Sequence, residues 1–351
     1  MSTVKLHTSP HLHQPLTVEV IMRHVVYALL PVCAWSVYQF GLSALALLAV
    51  CTVVCVGTEH LCCKWMGQAS TVNDWSAVIT GLLLALVLPP GFPLWMAVVA
   101  AVFGIAVGKM FFGGLGANVM NPALVGRAFA QAAFTLPMTT WVPSMAPGRF
   151  TTFIPSTLTP PFLVPRSISG WLETVAPDGF TGATPLALMK YEQVSTDPTA
   201  LMFGTVSGSA GETAGLLILL CGIYLAVRKI MDWRIPIGVL GSAFVLSGIF
   251  YWLDAERYPS PWFTLFAGGL MLGAVFMATD MVGSPETKRG TWIYAILIGV
   301  LTVVIRLFGG LNEGVMYAIL LGNAAAPLIS RLTQPRVYGT VKSARKKKVT
   351  A

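Results

Sequence analysis

The chain has 351 residues, of which 55% are hydrophobic and only 10% are charged, and its mean hydropathy is +0.74. A soluble domain carries roughly 25% Asp, Glu, Lys and Arg, so this composition excludes a cytosolic globule, a disordered chain, a collagen-like fibre and a coiled coil. It indicates an integral membrane protein. The formal net charge is +8, and seven cations lie in the last 21 residues, namely Arg331, Arg336, Lys342, Arg345, Lys346, Lys347 and Lys348. Such a tail is typical of a topology anchor, so membrane lipid is an expected partner and nucleic acid is not.

Ten apolar runs qualify as membrane spans, because a bilayer core of about 30 Å needs roughly 20 helical residues. They cover residues 24–40, 43–63, 76–90, 93–111, 122–137, 213–229, 235–253, 262–279, 290–307 and 314–331. We therefore expect an all-α polytopic membrane protein. Its predicted organisation is an N-terminal segment 1–23, five spans in 24–137, a polar segment 138–212, five spans in 213–331 and a basic tail 332–351.

The basic residues predict the orientation of the chain. When both termini lie on one side, most cations share that side, and the exceptions are Arg149, Arg166, Lys190, Arg257 and Arg306. This bias favours cytoplasmic termini and an extracytoplasmic segment 138–212. The N-terminal 20 residues lack an apolar core followed by a small-residue cleavage site, so we expect no signal peptide.

An internal repeat links the two groups of spans. The tetrapeptide FGGL at 112–115, followed after three residues by Val-Met, recurs at 308–311 with the same continuation. Five spans in each copy force the copies into opposite orientations, which predicts two inverted five-helix repeats. Binding sites in such proteins lie where broken helices meet, and the Gly-rich run 113–122, which ends at Pro122, is typical of such a break.

One motif in the polar segment stands out, the run DGFTGATPL at 178–186. A Thr between small residues and a Pro is a hydroxyl on an uncluttered turn, accessible to a bulky enzyme or a phosphate group. Taken alone, the run is more often just a turn.

The run resembles the D-G-x-[ST]-G-A-T segment of the RnfD and NqrB family of membrane electron-transfer subunits. The likeness extends along nearly the whole chain, through FGGLG and NPA at 112–123, MATD at 277–280, ILIGV at 296–300, EGVM at 313–316 and PRVYG at 335–339. One departure is Met281, where the family commonly has Pro. This resemblance implies FMN joined through its phosphate to Thr184. The residues that a separate flavin transferase would read are Asp178, Gly179, Thr181, Gly182 and Ala183.

The resemblance also implies a noncovalent riboflavin near an Asn-x-x-Asn pair, here Asn118 and Asn121. Amides can offer donors and acceptors to a flavin edge without adding charge to a low-dielectric site. The alternative is that both amides satisfy backbone groups freed by the broken helix.

Two carboxylates at membrane depth, Glu59 and Asp280, are candidates for a cation or proton pathway, although each lies close enough to a span end to be hydrated or to cap a helix. Arg127 and Arg306 could steer a flavin's negative charge, but we expect them to snorkel to the interface. We expect no metal site: Cys51 and Cys55 share a helix face without a second convergent pair, and His11 and His13 are isolated. No nucleotide-binding or zinc-protease motif occurs.

The resemblance implies the D subunit of an Rnf-type complex in the bacterial cytoplasmic membrane. Such a complex couples electron flow between ferredoxin and NAD to Na⁺ or H⁺ translocation, and its other subunits are A, B, C, E and G. An inverted five-plus-five repeat also resembles urea transporters, so a small-solute channel without a cofactor is the alternative.

Overall fold

The computed structural model describes residues 17–165, 167–175, 182–204, 206–212 and 215–335. Within those ranges all regular structure is helical and no strand occurs. The helices, in chain order, are α1 (Val18–Phe40), α2 (Leu42–Trp65), α3 (Ser76–Val87), α4 (Leu94–Gly108), α5 (Pro122–Ala133), α6 (Thr135–Met138), α7 (Ser169–Val175), α8 (Pro185–Ala187), α9 (Pro198–Phe203), α10 (Gly215–Val227), α11 (Arg234–Leu253), α12 (Pro261–Phe266), α13 (Leu270–Leu272), α14 (Lys288–Phe308) and α15 (Val315–Leu332). Single π-helical turns, Leu188–Glu192 and Gly273–Met277, extend α8 and α13.

Six helices in the described ranges are long and apolar enough to cross a membrane. They are α1, α2, α4 with the turn that extends it to Phe112, α11, α14 and α15. Two further apolar helices, α3 and α10, are shorter. The protein is therefore a multi-pass membrane protein with an all-helical core.

Three predicted spans differ from the helices that the structure shows. The helix predicted over 76–90 ends at Val87, because Leu88 is extended ahead of Pro89 and a residue before proline is driven out of the helical region. The span predicted over 262–279 is divided into α12 and α13, because Ala267 is extended and Gly268 adopts φ +66°. Similarly, α5 ends at Ala133 rather than running to residue 137.

The described residues of the polar segment 138–212 pack over one end of the helical bundle, which we call the cap end. The amide of Leu42 at the start of α2 donates to the Arg149 carbonyl at 2.9 Å, and that of Leu94 at the start of α4 donates to the Thr157 carbonyl at 3.1 Å. The amide of Gly211 donates to the carbonyl of Leu86, in the last turn of α3, at 2.6 Å. Hence α1 and α3 end at the cap end, and α2 and α4 begin there.

The opposite end of the bundle, which we call the open end, is marked by a buried ion pair. Lys109 follows the last residue of α4, Glu59 lies in the last two turns of α2, and Ser76 begins α3. The Lys109 ammonium lies 2.7 and 2.8 Å from the two Glu59 carboxylate oxygens and 2.5 Å from the Ser76 hydroxyl. A charged pair is stable at this depth only because each partner satisfies the other.

Small residues set the spacing between neighbouring helices. A methyl group at Gly126 of α5 would lie 2.7 Å from the Ala100 carbonyl of α4, and one at Gly104 would lie 2.8 Å from the Pro122 carbonyl. Close backbone approach of this kind is the usual basis of helix packing in membranes. This close approach fixes the position of α5 against α4. Helix α5 carries Arg127 and begins next to Asn121, two of the candidate site residues.

Candidate functional site

Thr184 is the N-cap of the short helix α8. Its hydroxyl oxygen accepts a hydrogen bond from the Ala187 amide at 3.2 Å, and Pro185 occupies the first helical position. Gly182 supplies the turn before it at φ +63°. The side chain is 5% exposed, so the expectation of an open, uncluttered turn is wrong: the hydroxyl is engaged and sheltered. Asp178, Gly179 and Thr181 of the motif lie outside the described residues.

A cavity of about 350 Å³, the Thr184 cavity, lies beside this cap. Its walls are formed by α5 and its following turn, by the residues around α8, and by the turn between α14 and α15. Three aromatic side chains, Trp141, Tyr191 and Tyr317, line it, and Gly182 and Ala183 lie at its edge with Thr184. Its volume falls in the range of roughly 300 to 1,000 Å³ that small-molecule sites occupy.

The polar wall of this cavity is an ion pair. Arg127 of α5 donates from Nη2 to Glu313, which lies two residues before α15. The two side chains are 7% and 17% exposed. Arg127 Nε is buried without a hydrogen-bond partner. The expectation that Arg127 snorkels to the interface is therefore wrong, because it is buried and neutralised inside the protein.

Glu212 is the third member of a cluster of charged residues that also includes Arg127 and Glu313. It hydrogen-bonds to Glu313 and accepts from the Ser209 hydroxyl at 2.7 Å. Burial, followed by the charge of Glu313, raises the pKa of Glu212 well above its ordinary value. Burial would also raise the pKa of Glu313, but the charge of Arg127 and the hydrogen bonds from Glu212 and Arg127 together hold it below its ordinary value. The pKa values of the two carboxyls are therefore shifted in opposite directions, and Glu212 is the one that retains a proton more readily.

Arg306, in the last turn of α14, is the fourth member of this cluster. Its guanidinium donates to the Thr264 carbonyl at 2.7 Å and to the Ala267 carbonyl at 2.8 Å. It thus satisfies the backbone carbonyls freed where α12 ends. The side chain is 6% exposed, so the expectation that Arg306 snorkels is also wrong.

A second cavity, the Asn118 cavity, lies at the open end and has a volume of about 90 Å³. It is lined by Asn118, Asn121, Asp280 and Lys109, which brings three of the predicted site residues together. Glu59 does not line it but is bound to Lys109, so it is connected to the cavity through that ammonium.

The two asparagines are not equivalent. Asn121 is the N-cap of α5: its Oδ1 accepts from the Ala123 amide at 3.0 Å, and its Nδ2 donates to the Met277 carbonyl at 3.4 Å. It therefore satisfies backbone groups at the helix break, as the alternative interpretation expected. Asn118 donates to the Met120 carbonyl at 3.3 Å, and its Oδ1 is buried without a partner. Asn118 is the amide with hydrogen-bonding capacity to spare.

Asp280 accepts a hydrogen bond from the Val282 amide at 3.2 Å, so it orders the turn that follows the π-helical segment. Burial raises the pKa of this carboxyl, opposed by the Val282 hydrogen bond and by the charge of Lys109. Among the described residues no group of three His, Cys, Asp or Glu side chains is placed to hold a metal, and His11 and His13 lie outside those residues. Cys51 and Cys55 are buried free thiols in α2.

Comparison with known proteins identifies the family. The model of the NQR2, RnfD, RnfE family matches residues 5–339. The chain belongs to this family. The D subunit of the Na⁺-translocating ferredoxin:NAD⁺ oxidoreductase complex of Acetobacterium woodii is 42% identical over 340 residues, covering 95% of both chains. The proton-translocating counterpart from Clostridium ljungdahlii is 39% identical over 343 residues, again covering 95% of both chains, and the D subunit of an ion-translocating oxidoreductase complex from Stutzerimonas stutzeri is 38% identical over 343, covering 92% of both.

Two charged residues of this NQR2, RnfD, RnfE family member escaped the sequence analysis as candidates, Lys109 and Glu212. Lys109 is the only cation within the predicted span 93–111, which could have indicated a buried partner. Glu313 was also not identified as a partner of Arg127, although the repeat contained a signal: the second FGGL continues with Asn312 and Glu313, where the first continues with Gly and Ala.

Proposed function

We propose that this protein is the D subunit of an Rnf-type complex. In that role it relays electrons between ferredoxin and NAD by way of the A, B, C, E and G subunits, and the complex moves Na⁺ or H⁺ across the bacterial cytoplasmic membrane. Support comes from family membership and from relatives named as the D subunits of sodium-translocating and proton-translocating complexes.

The proposal places FMN on Thr184, joined through its phosphate, with a flavin transferase installing it. The observation that carries this placement is that Thr184 borders a cavity of about 350 Å³ walled by an Arg–Glu pair and three aromatic side chains. Aromatic rings offer stacking surfaces to a planar ring system. The cap role of Thr184 uses only a lone pair of its oxygen, so an ester at that oxygen is compatible with the hydrogen bond from Ala187.

The chain's own residues then tune this site electrostatically. When bound, FMN supplies one- and two-electron redox chemistry. Arg127 places a positive charge at the cavity wall, which would stabilise negative charge on a flavin bound there. Glu313 weakens this stabilisation because it forms an ion pair with Arg127. The raised pKa of Glu212 favours its protonated form next to Glu313, which limits the negative charge of the cluster.

For the open end we propose a noncovalent riboflavin that hydrogen-bonds to Asn118, and an ion pathway that involves Asp280 and, through Lys109, Glu59. The unpartnered Asn118 oxygen supports the first assignment. A volume of about 90 Å³ is below the usual range for such ligands, so the side chains that line the cavity, among them Met22, Met231 and Met281, must move to admit a flavin. Methionine side chains repack readily.

We also propose ten membrane spans in two inverted repeats, with both termini cytoplasmic. The supporting observation is the direction of equivalent helices: α2 and α4 run from the cap end to the open end, whereas their counterparts α11 and α14 run the other way. Lys64, Lys109, Arg228 and Lys288 lie toward the open end. That end would face the cytoplasm, and Thr184 would face the other side.

In-gel fluorescence of the SDS-denatured chain tests the covalent flavin. We expect ultraviolet-excited fluorescence and one added FMN mass on the peptide containing residue 184, both absent in Thr184→Ala. The matched control is Thr139→Ala, which removes another threonine that lines the same cavity and leaves the label unchanged. An unmodified 184 peptide from cells with a working complex would overturn the flavin assignment and favour the channel alternative.

A further inference from the structure

A third cavity at the cap end, the Lys190 cavity, belongs to neither candidate flavin site. It has a volume of about 200 Å³ and lies between the ends of α11 and α14, the start of α12 and the turn after α8. Its apolar wall includes Phe250, Phe263 and Phe308. Three cations, Lys190, Arg257 and Arg306, also line it, and no Asp or Glu lines it among the described residues.

Two of these cations lack a carboxylate partner. Lys190 Nζ donates to the Gly309 carbonyl at 2.5 Å and the Leu311 carbonyl at 3.0 Å, which leaves one of its three N–H groups free. Arg257 lies with its guanidinium 5.8 Å from the Tyr258 ring centre. Within the described residues neither side chain has a carboxylate within 4.0 Å. Partial burial lowers the pKa of Lys190, so a bound anion would relieve an electrostatic cost.

Arg306 differs from the other two because its charge is partly compensated. Its two terminal nitrogens bind carbonyls, and the negative charge of Glu313 acts on it. Arg306 therefore shapes the floor of the cavity, while Lys190 and Arg257 supply the positive charge that a ligand would meet.

The surroundings of the cavity mark it as a membrane interface. Trp252, at the end of α11, is 85% exposed, and Trp262, at the start of α12, is 57% exposed. Tryptophans are enriched at the level of lipid head groups. Exposed apolar side chains, including Val245 and Ile249, continue from this point along the outer face of α11.

We propose that the Lys190 cavity binds the phosphate head group of an anionic membrane phospholipid, whose acyl chains lie along the outer faces of α11 and α14. The cations match the phosphate and the apolar wall matches the glycerol backbone and the first methylenes. The cavity holds a head group but not a whole amphiphile, so the rest of the ligand must lie outside it, on the apolar helix faces. This site also explains why cations persist at the end of the bundle that is otherwise poor in them.

Native mass spectrometry of the full-length protein, titrated with dioleoylphosphatidylglycerol, tests the site. We expect one saturable phosphatidylglycerol and much weaker binding of dioleoylphosphatidylcholine. Each cation near an anionic head group is worth about 1 kcal/mol, so Lys190→Gln and Arg257→Gln should each weaken binding about fivefold and together about 25-fold.

The matched control is the pair Lys64→Gln and Lys288→Gln, which removes two exposed cations at the opposite end and outside the basic tail. Its phosphatidylglycerol affinity should be unchanged. Equal binding of both lipids, or an unaltered affinity in the Lys190→Gln, Arg257→Gln double variant, would overturn the proposal. Displacement of the lipid by an equal concentration of inorganic phosphate would also overturn it, since the site would then serve a free anion.

Fluorescence quenching in the unmutated protein provides a test that does not depend on whether the Lys190 and Arg257 variants fold. Phosphatidylglycerol brominated in its acyl chains should quench tryptophan fluorescence more than brominated phosphatidylcholine at the same mole fraction. The excess quenching should disappear in Trp252→Phe, Trp262→Phe. Equal quenching by the two lipids contradicts a selective site.

Discussion

Arg127 and Glu313 form an ion pair across 186 residues of sequence, joining α5 of the first group of helices to the turn before α15 of the second. The pair lies beside Thr184 and under the polar segment, so it links three parts of the chain at the candidate cofactor site. Its burial means that its formation depends on the correct docking of both helix groups.

Removing one partner of this pair should be costly. Arg127→Met removes the cation that binds Glu313 directly and leaves a buried carboxylate without an ion-pair partner, for which losses of about 3 to 5 kcal/mol in the free energy of unfolding are typical. The measurement is denaturant unfolding in detergent, followed by far-UV circular dichroism. Adding Glu313→Gln should recover part of the loss, so the two substitutions should be clearly non-additive.

The matched control for this experiment is Arg234→Gln, which breaks the partly exposed pair with Asp232 at 3.3 Å. Exposed pairs contribute about 0 to 1 kcal/mol, so little change is expected. Equal losses in Arg127→Met and Arg234→Gln would contradict a buried, tightly packed pair at the cap end.

Glu212 should make the protein's stability decrease as the pH rises. Its folded-state pKa lies above the ordinary value of 4.5, so the folded protein keeps a proton that the unfolded chain has released. That stabilising contribution is fully present below about pH 4.5 and is lost as the pH rises through the folded pKa. Glu212→Gln, which imitates the protonated acid toward Glu313 and Ser209, should flatten the dependence.

The free energy of unfolding measured from pH 5 to pH 9 checks this expectation, and loss of a protonated-carboxyl infrared band in Glu212→Gln provides a second readout. Arg127 and Arg306 are the cations that act on the Glu212–Glu313 pair. Asp280, whose pKa is also raised by burial, contributes in the same direction, so Asp280→Asn is the natural comparison. An identical pH profile for wild type and Glu212→Gln would show that Glu212 is ionised in both states.

Hydropathy predicted the long helices well because their apolar runs are uninterrupted, as in 43–63 and 290–307. Hydropathy did not predict where a helix is interrupted, because the interruption depends on the backbone conformation of individual residues. The run 262–279 is apolar throughout, yet Gly268 at φ +66° and the extended Ala267 divide it, and only tertiary contacts such as those of Arg306 stabilise the break. The apolar composition of a half-helix cannot be distinguished from that of a full span.

Short sequence motifs identified residues that the fold brings together, whereas ion pairs between distant parts of the chain were not visible in the sequence. Asn118 and Asn121 were identified from one short motif and do line a common cavity. Arg127 and Arg306 were expected to snorkel, because a cation in an apolar run has no visible partner until Glu313 and the carbonyls of α12 are brought to it by the fold.

The two asparagines should be separable by experiment. Asn118→Ala removes an amide whose oxygen has no protein partner, so it should lower noncovalent riboflavin with little effect on stability. Asn121→Ala removes an N-cap and should cost about 1 kcal/mol in addition to any loss of flavin. Flavin extracted per mole of purified complex, together with denaturant unfolding, gives both quantities. Asn73→Ala, at an exposed position, controls for nonspecific effects. Unchanged riboflavin content in Asn118→Ala would exclude the Asn118 amide from the riboflavin site.

Glycine substitutions should show that the spacing between α4 and α5 sets the geometry of both cavities. A methyl group in Gly126→Ala would meet the Ala100 carbonyl at 2.7 Å, and backbone atoms cannot yield as a flexible side chain can. We expect a loss of about 1 to 3 kcal/mol in the free energy of unfolding, the usual cost of overpacking. Gly57→Ala, in α2, meets nothing within 4 Å and should be neutral or stabilising by up to about 1 kcal/mol.

Because α5 carries Asn121 at its start and Arg127 in its middle, Gly126→Ala should also reduce both the covalent and the noncovalent flavin content, whereas Gly57→Ala should change neither. Loss of stability with full retention of both flavins would show that neither site depends on the position of α5.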